Sequence, residues 1–196
     1  MFYEIAKRDH GLPHDPFKAL VAPRPIGWIT ALSANGEVNL SPYSFFNAVS
    51  DLPPMVAFSS QGRKDALTFI EETGEFVCNL ATWDLRGAMN ETSAPLARGQ
   101  NEMVQARLSS APSRLVRPPR VADAPAALEC RVRQIIPLGD GPIAGNLVIG
   151  DVLTIHVSDA VLDAAGRVDP RKLRTVARLG ADFWCHTSDL FEQKRP

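Results

Sequence analysis

The sequence predicts a mainly β protein with peripheral helices, built around a closed antiparallel barrel. Six stretches have the length and the apolar or alternating character of strands: Gly27 to Leu32, Val38 to Ser41, Met55 to Phe58, Phe76 to Leu80, Leu128 to Ile136 and Leu147 to Val157. Their links read as hairpins, with Asn35-Gly36 in one and Gly139, Gly141 and Gly145 punctuating another. Helical patterns are few and short, and six modest strands with little helix favour closure, which removes exposed edges.

In chain order, Ile26 to Leu32 is apolar and β-branched. Asn35-Gly36 tolerates positive φ at both central turn positions, and Val38 to Ser41 resumes an extended course. Pro42 removes a ladder donor and restricts Ser41 to extended geometry, so regular pairing is expected to stop near it. Tyr43-Ser44-Phe45-Phe46-Asn47 then reads as an irregular polar-aromatic loop. After Leu52-Pro53-Pro54, Met55 to Phe58 is a short buried strand, followed by Ser59-Ser60-Gln61-Gly62-Arg63-Lys64-Asp65. Asp65 has N-cap chemistry, Leu67 and Ile70 fall on one side of a helix over Ala66 to Glu72, and Gly74 is placed to end it.

Residues 81–120 read as a helical and loop insertion without a core of its own, with short helices near Trp83 to Asn90 and Asn101 to Leu108. Leu128 to Arg133 alternates apolar and charged residues, as a half-buried strand does. In the last long strand Gly150 marks a bulge or sharp bend, and His156, among apolar neighbours, reads as a structural histidine.

Composition bounds the function. With 196 residues, 45% hydrophobic and 22% charged, the chain is expected to form one domain over 1–196, with a C-terminal tail from about 170 to 196. A net charge of −1, with bases spread among acids, leaves no electrostatic footprint for nucleic acid. The cluster Arg167, Arg171, Lys172, Arg174 and Arg178 reads as a solvated face. No run suits a membrane, the first ten residues lack a signal core, and a cytoplasmic location is expected. Cys78, Cys130 and Cys185 are dispersed, and Gly11 and Pro13 break any helix joining His10 to His14, so neither a disulfide framework nor a metal is expected.

Two loops carry candidate chemistry. Buried amides must pair with something, so an ordered aromatic loop with free N–H groups suits a flat heteroaromatic ring with acceptors on its rim. The other reading is a hairpin exit whose aromatics fill the core. The loop before the helix places two hydroxyls, a glycine and two cations at the positive end of a helix dipole, which suits a phosphate; equally, it reads as a solvated Arg-Lys pair. One strand of about six residues, roughly 20 Å long, joins the loops. A ring at one end and a phosphate at the other describe a mononucleotide.

The residues that carry these features also resemble a known family, the flavin reductase-like proteins. The resemblance rests on Arg24-Pro25-Ile26-Gly27-Trp28-Ile29-Thr30, on Asn39 to Ser50, on Pro53-Pro54-Met55-Val56, on Gly62-Arg63-Lys64-Asp65 and on Glu72 to Leu80. It covers nearly the whole chain and is closest to the flavoredoxin and flavin reductase domain subgroup. It implies an FMN-binding split β-barrel, six-stranded, antiparallel and of Greek-key type, with the flavin at a homodimer interface.

Carried over position by position, the resemblance puts the isoalloxazine against Trp28 and the backbone of Ser44, Phe45 and Phe46. Asn39 and Asn47 would hold ring or ribityl oxygens. Ser59, Ser60, Arg63, Lys64, Asp65 and Thr68 would surround the ribityl tail and phosphate, Asp65 by capping the helix, with Thr30 as a further contact. No side chain is required as acid, base or nucleophile, since the chemistry belongs to the cofactor.

The implied activity is that of an FMN-dependent oxidoreductase reduced by NAD(P)H. One departure keeps other readings open: where many members carry Gly-Asp-His before the last strand, this chain has Ala144-Gly145-Asn146. The alternatives are a flavoredoxin-like electron-transfer protein reduced by a protein partner, and a non-enzymatic flavin carrier.

Overall fold

The computed structural model describes residues 2–7 and 9–196. Its centre is a seven-stranded antiparallel sheet: β1 (Gly27–Leu32), β2 (Val38–Tyr43), β3 (Phe46–Asp51), β4 (Pro54–Gln61), β5 (Glu75–Leu80), β6 (Ala126–Pro137) and β7 (Gly145–Val157). The spatial order is β2-β1-β5-β6-β7-β4-β3. The two outermost strands, β2 and β3, are consecutive in the chain and separated only by Ser44 and Phe45. A two-residue link cannot span an open sheet, so the sheet curls until its edges meet, which makes a barrel closed by the chain rather than by a ladder.

All six expected strands form, and β3 is a seventh within a stretch expected to be irregular. It pairs on one side only, with Phe46 opposite Phe58 and Asn47 opposite Ala57, and its register slips between Ala48 and Ser50. Half-exposed and bulged, it lacks the alternation that marks a strand. Pro42 likewise does not stop the ladder: it sits in β2 opposite Trp28, and the other side of this edge strand needs no amide.

Strand β1 has apolar residues in succession because both its faces are covered. Inside the barrel, Ile29 packs with Phe58, Phe76, Val148 and the helix Asp65–Thr73, which buries Leu67, Phe69 and Ile70. Outside, Trp28 packs with Leu40, Met89, Met103, Val121 and Val176. That second layer comes from the short helices Arg86–Glu91 and Glu102–Gln105, from the Ser110–Ala111 and Arg120–Val121 pair, and from a small sheet of Arg24–Pro25, Val176–Arg178 and Trp184–His186.

Several buried polar groups are paired across the fold. Asn79 Nδ2 donates to the Trp28 carbonyl at 3.0 Å and to Thr30 Oγ1 at 2.8 Å, while its Oδ1 accepts the Val121 N–H at 2.8 Å. His156 Nε2 lies 2.5 Å from Glu129 Oε1, the partnered state expected of a structural histidine. The three cysteines are free, and burial pushes the Cys78 thiol up to about 12.

Gly150 sits at a register shift between β7 and β6, against Phe76. A Cβ there would lie 2.4 Å from Phe76 Cζ and 3.3 Å from Cys130 Cβ. Gly150→Ala is therefore expected to destabilise the fold by about 1–3 kcal/mol through overpacking. Urea denaturation reads this directly, and an unshifted midpoint would mean that Phe76 can move aside.

Candidate functional site

The corner where β2 passes into β3 is the meeting point of three surface cavities. The first, of about 660 Å3, is lined on one side by Ser44, Phe45, Phe46 and Asn47, with Ser59 beneath and the Leu20-to-Pro25 segment opposite. The second, of about 530 Å3, shares Arg24 and Ser44 with it and extends beneath the N-terminal segment. The third, of about 330 Å3, adjoins the second at Pro42 and Ser93 and holds Asn39, Lys64, Asp65 and Glu102.

The corner is held by close packing. A Cβ on Gly27 would lie 2.5 Å from Phe46 Cδ2, so the Phe46 ring covers the bare backbone of β1 where the sheet edges meet. The Ser59 N–H donates to the Phe45 carbonyl at 2.8 Å, tying the corner to β4.

Strand β4 then delivers the chain to the loop at 61–64. Gly62 has φ +69° and donates its N–H to the Ala144 carbonyl at 2.9 Å; a Cβ there would sit 2.9 Å from the Pro142 carbonyl oxygen. Only glycine fits both the left-handed backbone and that approach.

The helix Asp65–Thr73 starts one residue earlier than its chemistry suggested. Lys64, extended at φ −111°, occupies the N-cap, makes no side-chain capping bond, and leaves Asp65 in the first turn. First-turn amides are thereby left without a side-chain partner, beside two cations. Gly74 ends the helix in the left-handed region as expected, its N–H reaching the Ile70 carbonyl at 2.8 Å.

The predicted site residues divide into groups. Ser44, Phe45, Phe46, Asn47 and Ser59 gather on the first cavity, and Asn39, Lys64 and Asp65 on the third. Arg63 is ion-paired with Glu71 on the helix surface, and Thr68 Oγ1 faces the Lys64 carbonyl at 3.5 Å. Trp28, Thr30 and Ser60 lie at 0% exposure and line none of the three cavities. Trp28 donates its indole N–H to Thr92 Oγ1 at 2.9 Å, Thr30 Oγ1 accepts from Asn79, and Ser60 Oγ donates to the Gly62 carbonyl. For Trp28, the outward face of β1 is already covered by the second core layer, so its ring offers no surface to a ligand.

Two contributors escaped sequence reasoning. Glu102, from a distant short helix, receives Asn39 Nδ2 at 2.7 Å and the Leu40 N–H at 3.0 Å. Burial, with the nearby Asp65 charge adding to it, holds its pKa above the ordinary carboxylate value against those bonds. Arg24 lay within a recognised motif, yet nothing local signals that it borders two cavities.

The family described as Flavin reductase like domain matches residues 20–176. An uncharacterized protein of Deinococcus radiodurans is 38% identical over 190 residues, covering 90% of this chain and 82% of its own. The structure of nitrilotriacetate monooxygenase component B from Bacillus cereus is 31% identical and superposes with a TM-score of 0.87 over 95% of this chain and 96% of that one. The 2-nitrobenzoate 2-nitroreductase of Pseudomonas fluorescens, 25% identical, superposes at 0.88 over 100% and 96%. This chain therefore belongs to the flavin reductase-like family, with the split-barrel fold and the flavin-related oxidoreductase character of that family.

Proposed function

We propose that the chain as a whole is one FMN-binding unit that acts as a flavin oxidoreductase reduced by NAD(P)H, working in the cytoplasm as a homodimer. The observation that carries the reading is the continuity of β4. Its residues Ala57 and Ser59 line the cavity bordered by Ser44 to Asn47, and the same strand ends two residues on at Gln61, where the turn at Gly62 leads to Arg63, Lys64 and an uncapped helix start. A ring-sized cavity and an anion-seeking amide cluster at the two ends of one short stretch of chain fit a flavin mononucleotide.

In this reading the backbone of Ser44, Phe45 and Phe46 and the Asn47 amide hold the ring edge. Ser59 meets the ribityl chain. Arg63, Lys64 and Thr68 face the phosphate, with Arg63 exchanging Glu71 for the anion. Trp28, Thr30, Asn39 and Ser60 act from behind, by fixing β1, β2 and β4. Bound there, FMN would supply hydride acceptance and the release of electrons singly or in pairs, while the protein orients it and screens it from water. The nitroreductase and monooxygenase-component names of the two structural relatives support the oxidoreductase class.

A second reading has a specific observation behind it. Asn146 stands where a nicotinamide-side histidine would be expected, and its Nδ2 is turned to the Ser60 and Ala144 carbonyls at 3.4 and 3.3 Å. That favours a flavoredoxin-like carrier reduced by a protein. The visible spectrum of the FMN-loaded protein, recorded anaerobically before and after NADH or NADPH, separates the two. Bleaching is the expected result; a flavin spectrum that neither nucleotide alters would replace the reductase with the carrier, and failure to take up FMN would end both.

A further inference from the structure

Among the described residues, Arg24 is the arginine that the fold encloses, at 7% exposure. Its Nη1 donates to the carbonyls of Lys18 and Val21, and its Nη2 to that of Leu179 at 2.9 Å. The buried Nε has no partner, and no described carboxylate lies within ion-pairing distance. Three of five N–H donors are used, so Nε–H and one terminal N–H remain. Burial and the like charge of Arg178 together hold the Arg24 pKa below the ordinary arginine value. An enclosed cation without a counter-charge is costly, and the fold supplies carbonyl dipoles and the edge of cation–π range to Phe45, whose ring centroid lies 5.9 Å from Cζ, but no carboxylate.

The 530 Å3 cavity that Arg24 lines also presents Arg178 and Lys18, against a floor of Ile26, Met89 and Trp184. Arg178 belongs to a run expected to be a solvated face, yet its guanidinium stacks 4.7 Å from the Trp184 ring centroid and lines this cavity. Two carboxylates stand nearby and both are engaged. Asp15 Oδ1 accepts the Phe17 N–H at 2.9 Å, and the exposed Asp182 lies 3.3 Å from Arg178. Three cations beside an apolar floor, with one guanidinium incompletely paired, form a recognition site for a molecule that is apolar at one end and anionic at the other.

We infer that this cavity binds a small organic anion, a carboxylate or phosphate carried on an apolar body, through Arg24 and Arg178. Resting on the flavin reading above, this anion is the second substrate. The cavity meets the ring-side cavity at Ser44 and Arg24, so a molecule anchored by the guanidiniums extends its other end toward the flavin corner.

The test is isothermal titration of the purified full chain with benzoate and, separately, with inorganic phosphate, with FMN affinity read by absorbance on the same preparations. Arg24→Gln also removes three backbone anchors, so Arg178→Gln and Lys18→Gln carry the test. Benzoate binding weakened roughly tenfold by Arg178→Gln, about the worth of one charged hydrogen bond, is the expected result. Phosphate binding with the same dependence would support the site and identify a phosphoryl ligand. Phosphate binding that responds only to Arg63→Ala with Lys64→Ala belongs to the flavin loop and, without an Arg178-dependent anion, overturns the inference. So does binding of neither anion, or binding indifferent to Arg178. Arg178-dependent benzoate binding by a protein that takes up no FMN would sink the flavin reading and leave the anion pocket standing.

Discussion

Glu129→Ala is expected to cost about 3–5 kcal/mol of stability, because it removes a fully buried carboxylate that pairs two backbone N–H groups and a histidine at once. The Glu129 carboxylate is 0% exposed; it accepts the Arg114 and Leu115 N–H groups, each at 2.7 Å, and faces His156 Nε2. These contacts tie residues 114–115 to β6 and β7. Burial opposes ionisation, but the two amides and His156 outweigh it and hold the pKa below the ordinary 4.5. A carboxylate with a depressed folded-state pKa contributes fully above its unfolded value, and that contribution fades as pH falls through the folded one. The difference between wild type and Glu129→Ala in urea unfolding should therefore be full at pH 7 and shrink below about pH 4.5. A loss under 1 kcal/mol at pH 7 would show that the 114–115 loop finds water or other partners.

Arg63→Ala combined with Lys64→Ala is expected to weaken FMN binding by about 2–4 kcal/mol, or roughly 30- to 1000-fold, with the fold intact. Each charged hydrogen bond to phosphate contributes about 1.5–3 kcal/mol, and solvent exposure discounts the sum. Arg63 is now ion-paired with Glu71, and the Lys64 ammonium stands 6.0 Å from the Tyr43 ring centroid. Neither contact is buried, so the fold should survive their loss while FMN fluorescence titration reports the change. Unaltered affinity would remove the phosphate from this loop, and with it the main support for a mononucleotide.

The sequence disclosed most of the barrel because its strands signal locally. Gly36, at φ +91°, closes the first hairpin, although Asn35 does not share the positive φ that an Asn-Gly pair allows; Gly74 ends a helix, and Gly150 announces a bulge. What stayed hidden depends on tertiary neighbours. Strand β3 is recruited by β4 and carries no periodicity of its own, and Pro42 is tolerated only because β2 turns out to be an edge. At the site, Ser44 to Asn47 and Ser59 could be read from the chain and do gather on one cavity. Trp28 could not be placed, since which face of β1 is covered depends on Met89, Met103 and Val121, up to 93 residues away. Glu102 was silent for the same reason, its partners coming from residues 39–40, and Arg24 in part, since its local bonds to Lys18 and Val21 are completed only by Leu179.

That β2 and β3 are adjacent in the chain yet lie at opposite ends of the sheet has a kinetic consequence. Each pairs with its own neighbour in the chain, β2 with β1 and β3 with β4. The two hairpins cannot be brought to one corner until the strands between them are in register, including distant pairs such as Thr30 with Val77 and Phe76 with Cys130. Such non-local pairing raises contact order and slows refolding. The corner therefore takes shape late, and a ligand that recognises it stabilises only chains that have finished folding, not their intermediates.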